Sequence, residues 1–246
     1  MRLVAWNCNM ALDRKFAALR SLRPDVAVIS ECACPERLQA KVDLARAGID
    51  LVWVGRNPHK GLAVLGFKGA RLHLLPEHDP GLAFIAPVRV EGPVAFNLLA
   101  VWAQNASGGN IRKDQPGPLN LALTRYRRFL EDGPAAVAGD LNNNVLWDKP
   151  GWAMNHAGTV ARLESYGLLS AYHAARGEAQ GAERTPTHYW RDRKKDGPTY
   201  HIDYIFLSRD WIGRLRELRV GRFAKWCGAG LSDHVPLVAD VMLPKT

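Results

Sequence analysis

No stretch of the 246 residues is both apolar and long enough to span a bilayer. The opening residues, MRLVAWNCNM, enter a strand-like pattern without the long apolar core and small-residue cleavage site of a signal peptide, so a cytoplasmic location is expected. Cysteine is sparse. Cys8, Cys32, Cys34 and Cys227 lack the paired spacing of a zinc motif, and Cys32-Ala33-Cys34 alone does not supply it. They read as reduced thiols that pack in the core. No low-complexity tract, short-period repeat or linker-like boundary breaks the chain, which favours one domain over residues 1–246, and no stable protein partner is inferred.

What is present is an ordinary globular composition, 47% hydrophobic and 23% charged, in which a packed core is the default. The charges are not balanced. Lys and Arg number 33 against 24 Asp and Glu, a net charge of +9 that favours encounters with nucleic acid, anionic lipid or phosphorylated small molecules. The same surplus also serves solubility, so charge alone does not choose a partner.

Short apolar runs alternate with helical patterns from end to end. Residues 3–6 and 26–30 read as buried strands. Between them Leu12, Phe16 and Leu19 share a helical face, and Arg23-Pro24 ends that helix. A second helix is expected over 35–47, with Leu38, Val42 and Ala45 as its stripe and Gly48 as its stop. Five strand candidates follow: LVWVG, GLAVLGF, ARLHLL, LAFIAPVRV and VAFNLLAVW. Residues 119–130 read as a helix with Leu123, Tyr126 and Leu130 inward. AAVAGD reads as a strand, and TVARLESYG as a helix capped by Thr159. HIDYIFLS and HVPLVADVML close the chain as strands. The fold class is α/β: two sheets with helices outside them.

Three apolar runs end in a residue capable of chemistry: Asn7, Glu31, and Asp140 with Asn142 two positions on. Two others begin with such residues: His201 and Asp203, and the pair Asp233-His234. If the last two strands run antiparallel to the first three, all five polar ends gather at one edge of the core, where α/β proteins place their sites. Any one of these residues is common turn punctuation; five together are not. Metal-assisted attack on a phosphate suits them. Mg²⁺ takes few carboxylates and completes its shell with water and phosphate oxygens. Glu31 is the leading ligand candidate, with Asp233 and the Asn7 amide beside it. Asp140 can position or deprotonate water, and the Asn142 amide can donate to a non-bridging oxygen. Asp203 can fix the tautomer of His234 and favour its protonated form.

These residues resemble the endonuclease/exonuclease/phosphatase superfamily, which includes deoxyribonuclease I, exonuclease III, sphingomyelinases and inositol polyphosphate phosphatases. The matching stretches are Trp6-Asn7, PDVAVISE ending at Glu31, GDLN at 139–142, HIDYIFLS around Asp203, and SDHVPL at 232–237. They occur in the family's order over nearly the whole chain, and the ordered set is far more specific than any one motif. The resemblance implies a four-layer sandwich of two packed mixed β-sheets flanked by helices, dependence on Mg²⁺ or Mn²⁺, and hydrolysis of a phosphoester. It carries over Asn7, Glu31, Asp140, Asn142, Asp203, Asp233 and His234. His201 matches no fixed family residue and reads as a strand-surface histidine.

One departure stands out. Where many members place a histidine and the exonuclease III branch a tyrosine in a YxPN-like stretch, this chain has Trp102, in VWAQNA, with Asn105 retained. An indole donates one hydrogen bond and cannot transfer a proton as those residues can, which puts leaving-group assistance in doubt.

Basic residues cluster in RTPTHYWRDRKK, where Trp190, Arg191 and Arg193 combine stacking faces with charge, and in RLRELRVGRFAK, read as a partly helical, water-facing run. Arg112 and Lys113 lie in a Gly- and Pro-bearing loop after Trp102, and Trp147 and Trp152 follow the GDLNNN turn. A metal-dependent nuclease is the leading function. The alternatives are a phosphatase or phosphodiesterase for a small molecule or lipid headgroup, and a binding module without catalysis, which the retained acidic set argues against.

Overall fold

The structure is a computed structural model describing residues 1–82, 84–103, 117–152, 155–190 and 194–243. In chain order its elements are β1 (Arg2–Asn7), α1 (Leu12–Ser21), β2 (Val26–Cys32), α2 (Pro35–Gln39), β3 (Asp50–Asn57), β4 (Lys60–Gly66), β5 (Arg71–Leu74), β6 (Ile85–Glu91) and β7 (Phe96–Trp102). There follow α3 (Pro118–Arg125), α4 (Arg127–Glu131), β8 (Ala135–Asp140), a 3₁₀ turn (Val145–Trp147), α5 (His156–Ser165), β9 (Leu168–Ser170) and α6 (Ala171–Arg176). The last are β10 (His188–Tyr189), β11 (Thr199–Tyr200), β12 (Asp203–Ser208), α7 (Arg209–Ile212), β13 (Leu215–Val220), α8 (Phe223–Trp226) and β14 (Leu237–Val241).

Two six-stranded mixed sheets result, ordered β13-β14-β1-β2-β4-β3 and β5-β6-β7-β8-β12-β9, with β10-β11 as a separate ribbon. Each sheet contains one parallel pair, β1 with β2 and β7 with β8; their other pairings are antiparallel. The central strands read as unbroken apolar runs because both of their faces are covered. Leu3, Ala5, Val28 and Val64 meet Leu98, Ala100, Ala138 and Ile205 between the sheets. Val4, Trp6 and Ile29 face Leu12, Phe16 and Leu19 of α1 on one outer side. Leu99, Val137 and Phe206 face Leu123, Tyr126 and Leu130 on the other. This is the four-layer α/β sandwich. Burying each such Val, Leu or Ile contributes roughly 1.5–3 kcal/mol. All four cysteines are buried, and burial pushes the Cys8 thiol up to about 12.

Four local expectations are corrected. The helix expected over 35–47 stops at Gln39, and burial falls on Leu44 rather than Ala45, because the larger side chain removes more apolar surface from water. The helix expected over 119–130 breaks at Tyr126, whose φ of −98° and ψ of 18° leave the helical region. Thr159 is not a cap. It lies inside α5, accepts from the Asn120 amide and donates to the Asn155 carbonyl, and Asn155 occupies the cap position. The helix-like reading of RLRELRVGRFAK gives way to edge strand β13, where Arg219 reaches Asp240 across the sheet at 2.9 Å.

One glycine connects core to site. Gly139 immediately precedes Asp140, adopts φ +138°, and passes so close to β7 that a Cβ would lie 1.8 Å from the Val101 carbonyl oxygen. Gly139→Ala should therefore destabilise the fold by about 3 kcal/mol through overpacking and strain, read as a lower urea midpoint at unchanged slope. A shift within about 0.5 kcal/mol would contradict this contact.

Candidate active site

The expected gathering of strand ends is present. β12 runs antiparallel to β8 with Asp203 opposite Asp140, and β14 runs antiparallel to β1. The two ends of the chain's motif set lock together. The Trp6 indole donates to the His234 carbonyl at 3.2 Å, and the Ser232 hydroxyl donates to the Asn7 carbonyl at 2.7 Å.

Glu31 reaches the site through a bulge. The β2–β4 register shifts between Ser30 and Cys32, and Glu31 takes a left-handed φ of 57°. Bulges re-aim a side chain at the cost of strain, and they concentrate at functional sites. The Asn7 amide is the bridge. Its Nδ2 donates to Glu31 Oε1 at 3.2 Å and to Asp140 Oδ2 at 2.9 Å, tying one sheet to the other. Its Oδ1 accepts from the Asn9 amide N–H at 2.9 Å.

Asp140 is buried and accepts from the Asn142 backbone at 2.8 Å and the Asn142 side chain at 3.1 Å. The second proton of that side-chain amide goes to the Ala103 carbonyl at 2.7 Å. In this geometry Asn142 orients Asp140. Its left-handed φ of 49° is one that Asn tolerates better than most residues. Burial first, and the charge of Asp203 second, raise the Asp140 carboxyl to about 7 against the opposing effects of His234, Asn7 and Asn142.

Asp203 is fully buried. Its Oδ2 accepts from His234 Nδ1 at 2.8 Å, which fixes the imidazole's orientation. The Thr187 hydroxyl oxygen accepts the N–H groups of Ile202 and Asp203, each at 3.0 Å, and so holds the start of β12. Burial alone would lower the His234 pKa. The charge and hydrogen bond of Asp203, then Asp140 and Asp233, outweigh it and raise His234 to about 10. At neutral pH the ring is a cation with Nε2–H still to donate.

Asp233 turns the other way. Its Oδ1 accepts from Asn9 Nδ2 at 3.0 Å, and its Oδ2 lies 3.9 Å from His188 Nε2. The His188 ring sits 4.4 Å from that of His234. Burial, and then the cationic neighbour, hold His188 down to about 4, so it is neutral.

Among the described residues, two groups of side chains place ligating atoms within 4.8 Å of one another: Asp140, Asp203 and His234, and His188, Asp233 and His234. Both depend on His234, whose Nδ1 is engaged by Asp203 Oδ2 at 2.8 Å. A hard cation prefers oxygen donors, and the Glu31 carboxylate, the Asn7 amide and the Asp233 carboxylate, linked in turn through Asn7 and Asn9, could supply them.

Trp102 faces the intersheet core, packed on Phe84 at 4.6 Å with Lys60 Nζ 5.7 Å from its ring centre. Trp190 is 38% exposed and Trp147 39%, and both edge onto Tyr200, at 6.3 and 4.9 Å. His188 lies 5.9 Å from Trp190, so an aromatic ridge leads from the surface to His234. Asn105, Arg112, Lys113, Arg191 and Arg193 lie outside the described residues. His201 is corrected from a surface to a buried residue; its Nδ1 donates to the Thr185 carbonyl at 2.9 Å and its ring packs on Tyr172. Asn9, Thr187 and His188 went unnoticed in the sequence. Alternation in Asn7-Cys8-Asn9 and the proximity of Thr187-His188 to the aromatic-basic stretch were the available signals.

The sequence matches no protein-family model and no curated protein. Solved structures match in shape. A 3′ phosphatase from Neisseria bound to a product DNA hairpin superposes with TM-score 0.68 at 19% identity, covering 99% of this chain and 100% of its own. An AP endonuclease from Archaeoglobus fulgidus gives TM-score 0.68 at 16% identity, with 99% and 100% coverage. An endonuclease/exonuclease/phosphatase from Beutenbergia cavernae gives 0.63 at 18% identity, covering 99% of this chain and 71% of that one. The chain shares the fold of these structures.

The raised His234 pKa sets a sign. Its contribution to stability is full below the ordinary value of 6.5 and is lost as pH rises through about 10. Asp203→Asn removes the partner, so in EDTA it should lower stability by about 3–5 kcal/mol at neutral pH, as breaking a buried pair does. That gap should narrow as pH approaches 10. A gap independent of pH between 7 and 10 would refute the buried ion pair.

Proposed function

We propose that this chain hydrolyses phosphodiester bonds in nucleic acid with the help of Mg²⁺ or Mn²⁺. The observation that carries this reading is the joining, through Asn7, of a half-buried Glu31 to a buried Asp140 whose carboxyl is tuned to about 7. A carboxylate near neutral pKa can accept a proton from an attacking water at working pH. Asn142 and Asn7 hold it in one orientation. His234, kept cationic and steered by Asp203, offers Nε2–H to a non-bridging phosphate oxygen where negative charge builds. Glu31, Asn7 and Asp233 would hold the cation; when bound it supplies Lewis-acid polarisation of the phosphoryl oxygen and a more acidic water. Trp102 lies in the core and offers no proton beyond its indole N–H, so the leaving oxygen gains little acid assistance from that position.

Nucleic acid is favoured over a small phosphoester by two features. The net charge of +9 suits a polyanion, and the half-exposed ridge of Trp147, Tyr200 and Trp190 offers successive ring faces on the approach to His234. Among structural neighbours, one is bound to a DNA hairpin and another is an AP endonuclease. Asn105, Arg112, Lys113, Arg191 and Arg193 are assigned as backbone contacts on their place in the sequence.

Asp140→Asn and His234→Ala should each lower kcat/KM on DNA by about 10³-fold or more with DNA binding largely kept; Asp140→Asn should also keep its stability, whereas His234→Ala leaves Asp203 buried without its partner and should lose stability. EDTA should abolish turnover and added Mg²⁺ or Mn²⁺ restore it. Near-normal rates in both variants, or activity after exhaustive chelation, would overturn the site assignment.

The ridge makes a separate prediction. Trp190→Ala and Trp147→Ala should each weaken DNA binding by roughly 1–2 kcal/mol, about 5- to 30-fold, and leave hydrolysis of a small generic phosphodiester unchanged. Equal losses on both substrates would show that the ridge acts on folding rather than on bases.

A further inference from the structure

Between β1 and α1 the chain takes three consecutive left-handed steps, none at glycine: Asn9 (φ 45°), Met10 (61°) and Ala11 (48°). L-residues resist this conformation, and single visits are far commoner than runs. Met10 is among the exposed apolar residues, so burial of its side chain does not hold the turn. A cation does. Lys15, in the first turns of α1, folds back so that its ammonium donates to the carbonyls of Cys8 at 2.6 Å, Asn9 at 3.0 Å and Met10 at 2.8 Å. Three donors meet three converging acceptors.

The consequence lies on the other side of the turn. With its carbonyl drawn toward Lys15, Asn9 gives its backbone N–H to Asn7 Oδ1 at 2.9 Å and its side-chain Nδ2 to Asp233 Oδ1 at 3.0 Å. Asn9 thus clasps the end of β1 to the segment preceding β14, and it touches both Asn7, the hydrogen-bond partner of Glu31, and Asp233. We infer that Lys15 is a positioning residue for cation binding: it shapes the 9–11 turn so that Asn9 orients Asn7 and Asp233. This rests on the reading of Asn7, Glu31 and Asp233 as the groups that hold the cation. Lys15 makes these carbonyl contacts from outside the ligand set and acts through the 9–11 turn.

Outer partners that orient metal ligands commonly govern affinity by 10- to 100-fold. The test is Mn²⁺ binding to the purified full chain without substrate, followed by electron paramagnetic resonance, with Glu31→Gln as control. Lys15→Met should raise the Mn²⁺ Kd about tenfold, and Lys15→Arg, which keeps the charge and several donors, should recover part of that loss. In the phosphodiester assay the half-saturating metal concentration should rise in parallel, with kcat at saturating metal held within about twofold. Folded Lys15→Met with wild-type Mn²⁺ affinity overturns the inference. If Lys15→Met does not fold, Asn9→Ala decides instead, since it keeps the three carbonyls on Lys15 and removes the side-chain link to Asp233; unchanged affinity there is equally fatal. Wild type and Glu31→Gln binding Mn²⁺ alike would reject the ligand assignment itself, a failure distinct from that of Lys15.

Discussion

Two carboxylates and an imidazolium share one nearly water-free end of the molecule, and most of the site's properties follow from that shared burial. Asp140 and Asp203 face each other across adjacent antiparallel strands. His234 limits the rise of the Asp140 pKa, and Asp203 and Asp140 keep His234 charged against its burial. Asp203 accepts the His234 Nδ1 proton at 2.8 Å, and the carboxyl raised to about 7 is that of Asp140. Like charge and burial raise its pKa, and opposite charge limits the rise. A base near neutrality and a fixed cation thus arise from the same arrangement.

The sandwich is what makes the arrangement possible. Asn7 and Glu31 belong to one sheet, Asp140 and Asp203 to the other, and His234 follows from the first sheet's side of the chain. Contact across the two layers therefore both packs the sheets and assembles the cluster. Three departures from regular backbone accomplish it: the bulge at Glu31, the left-handed turn at 9–11, and the glycine at 139 that brings β8 against β7. Local rules of sequence preference fail at these places, as they tend to where geometry is held for function.

Much of this was legible in the sequence. Apolar runs ending in Asn7, Glu31 and Asp140, and beginning near Asp203 and His234, required only an antiparallel arrangement to converge, and the two buried sheets followed from the unbroken apolar strands. The rest depends on tertiary context. Asn9 acts through a left-handed backbone that no propensity at Asn-Met-Ala announces. His201 looked like a strand-surface residue, yet it lies under Tyr172, because the strand begins only at Asp203. Residues 215–220 carry helix-compatible Leu, Arg and Glu, but the edge of a sheet and an aspartate at 240 claim them as a strand. Trp102 stands in the stretch that resembles the family's His or Tyr position. The core claims its ring, and the exposed rings that approach the site come from Trp147 and Trp190.

The central claim is that the Asn7–Glu31–Asp140–His234 cluster cuts phosphodiesters of nucleic acid. It is tested most directly by titrating Mg²⁺ and Mn²⁺ into purified protein with labelled duplex DNA, abasic duplex, single-stranded DNA and RNA, using Asp140→Asn as the control. The account predicts metal-dependent cleavage of at least one of these and none by the variant. If every strand stays intact while a generic small phosphodiester is hydrolysed, the chemistry stands and the substrate class is wrong; if the protein and its variant cleave alike, the site itself is wrong.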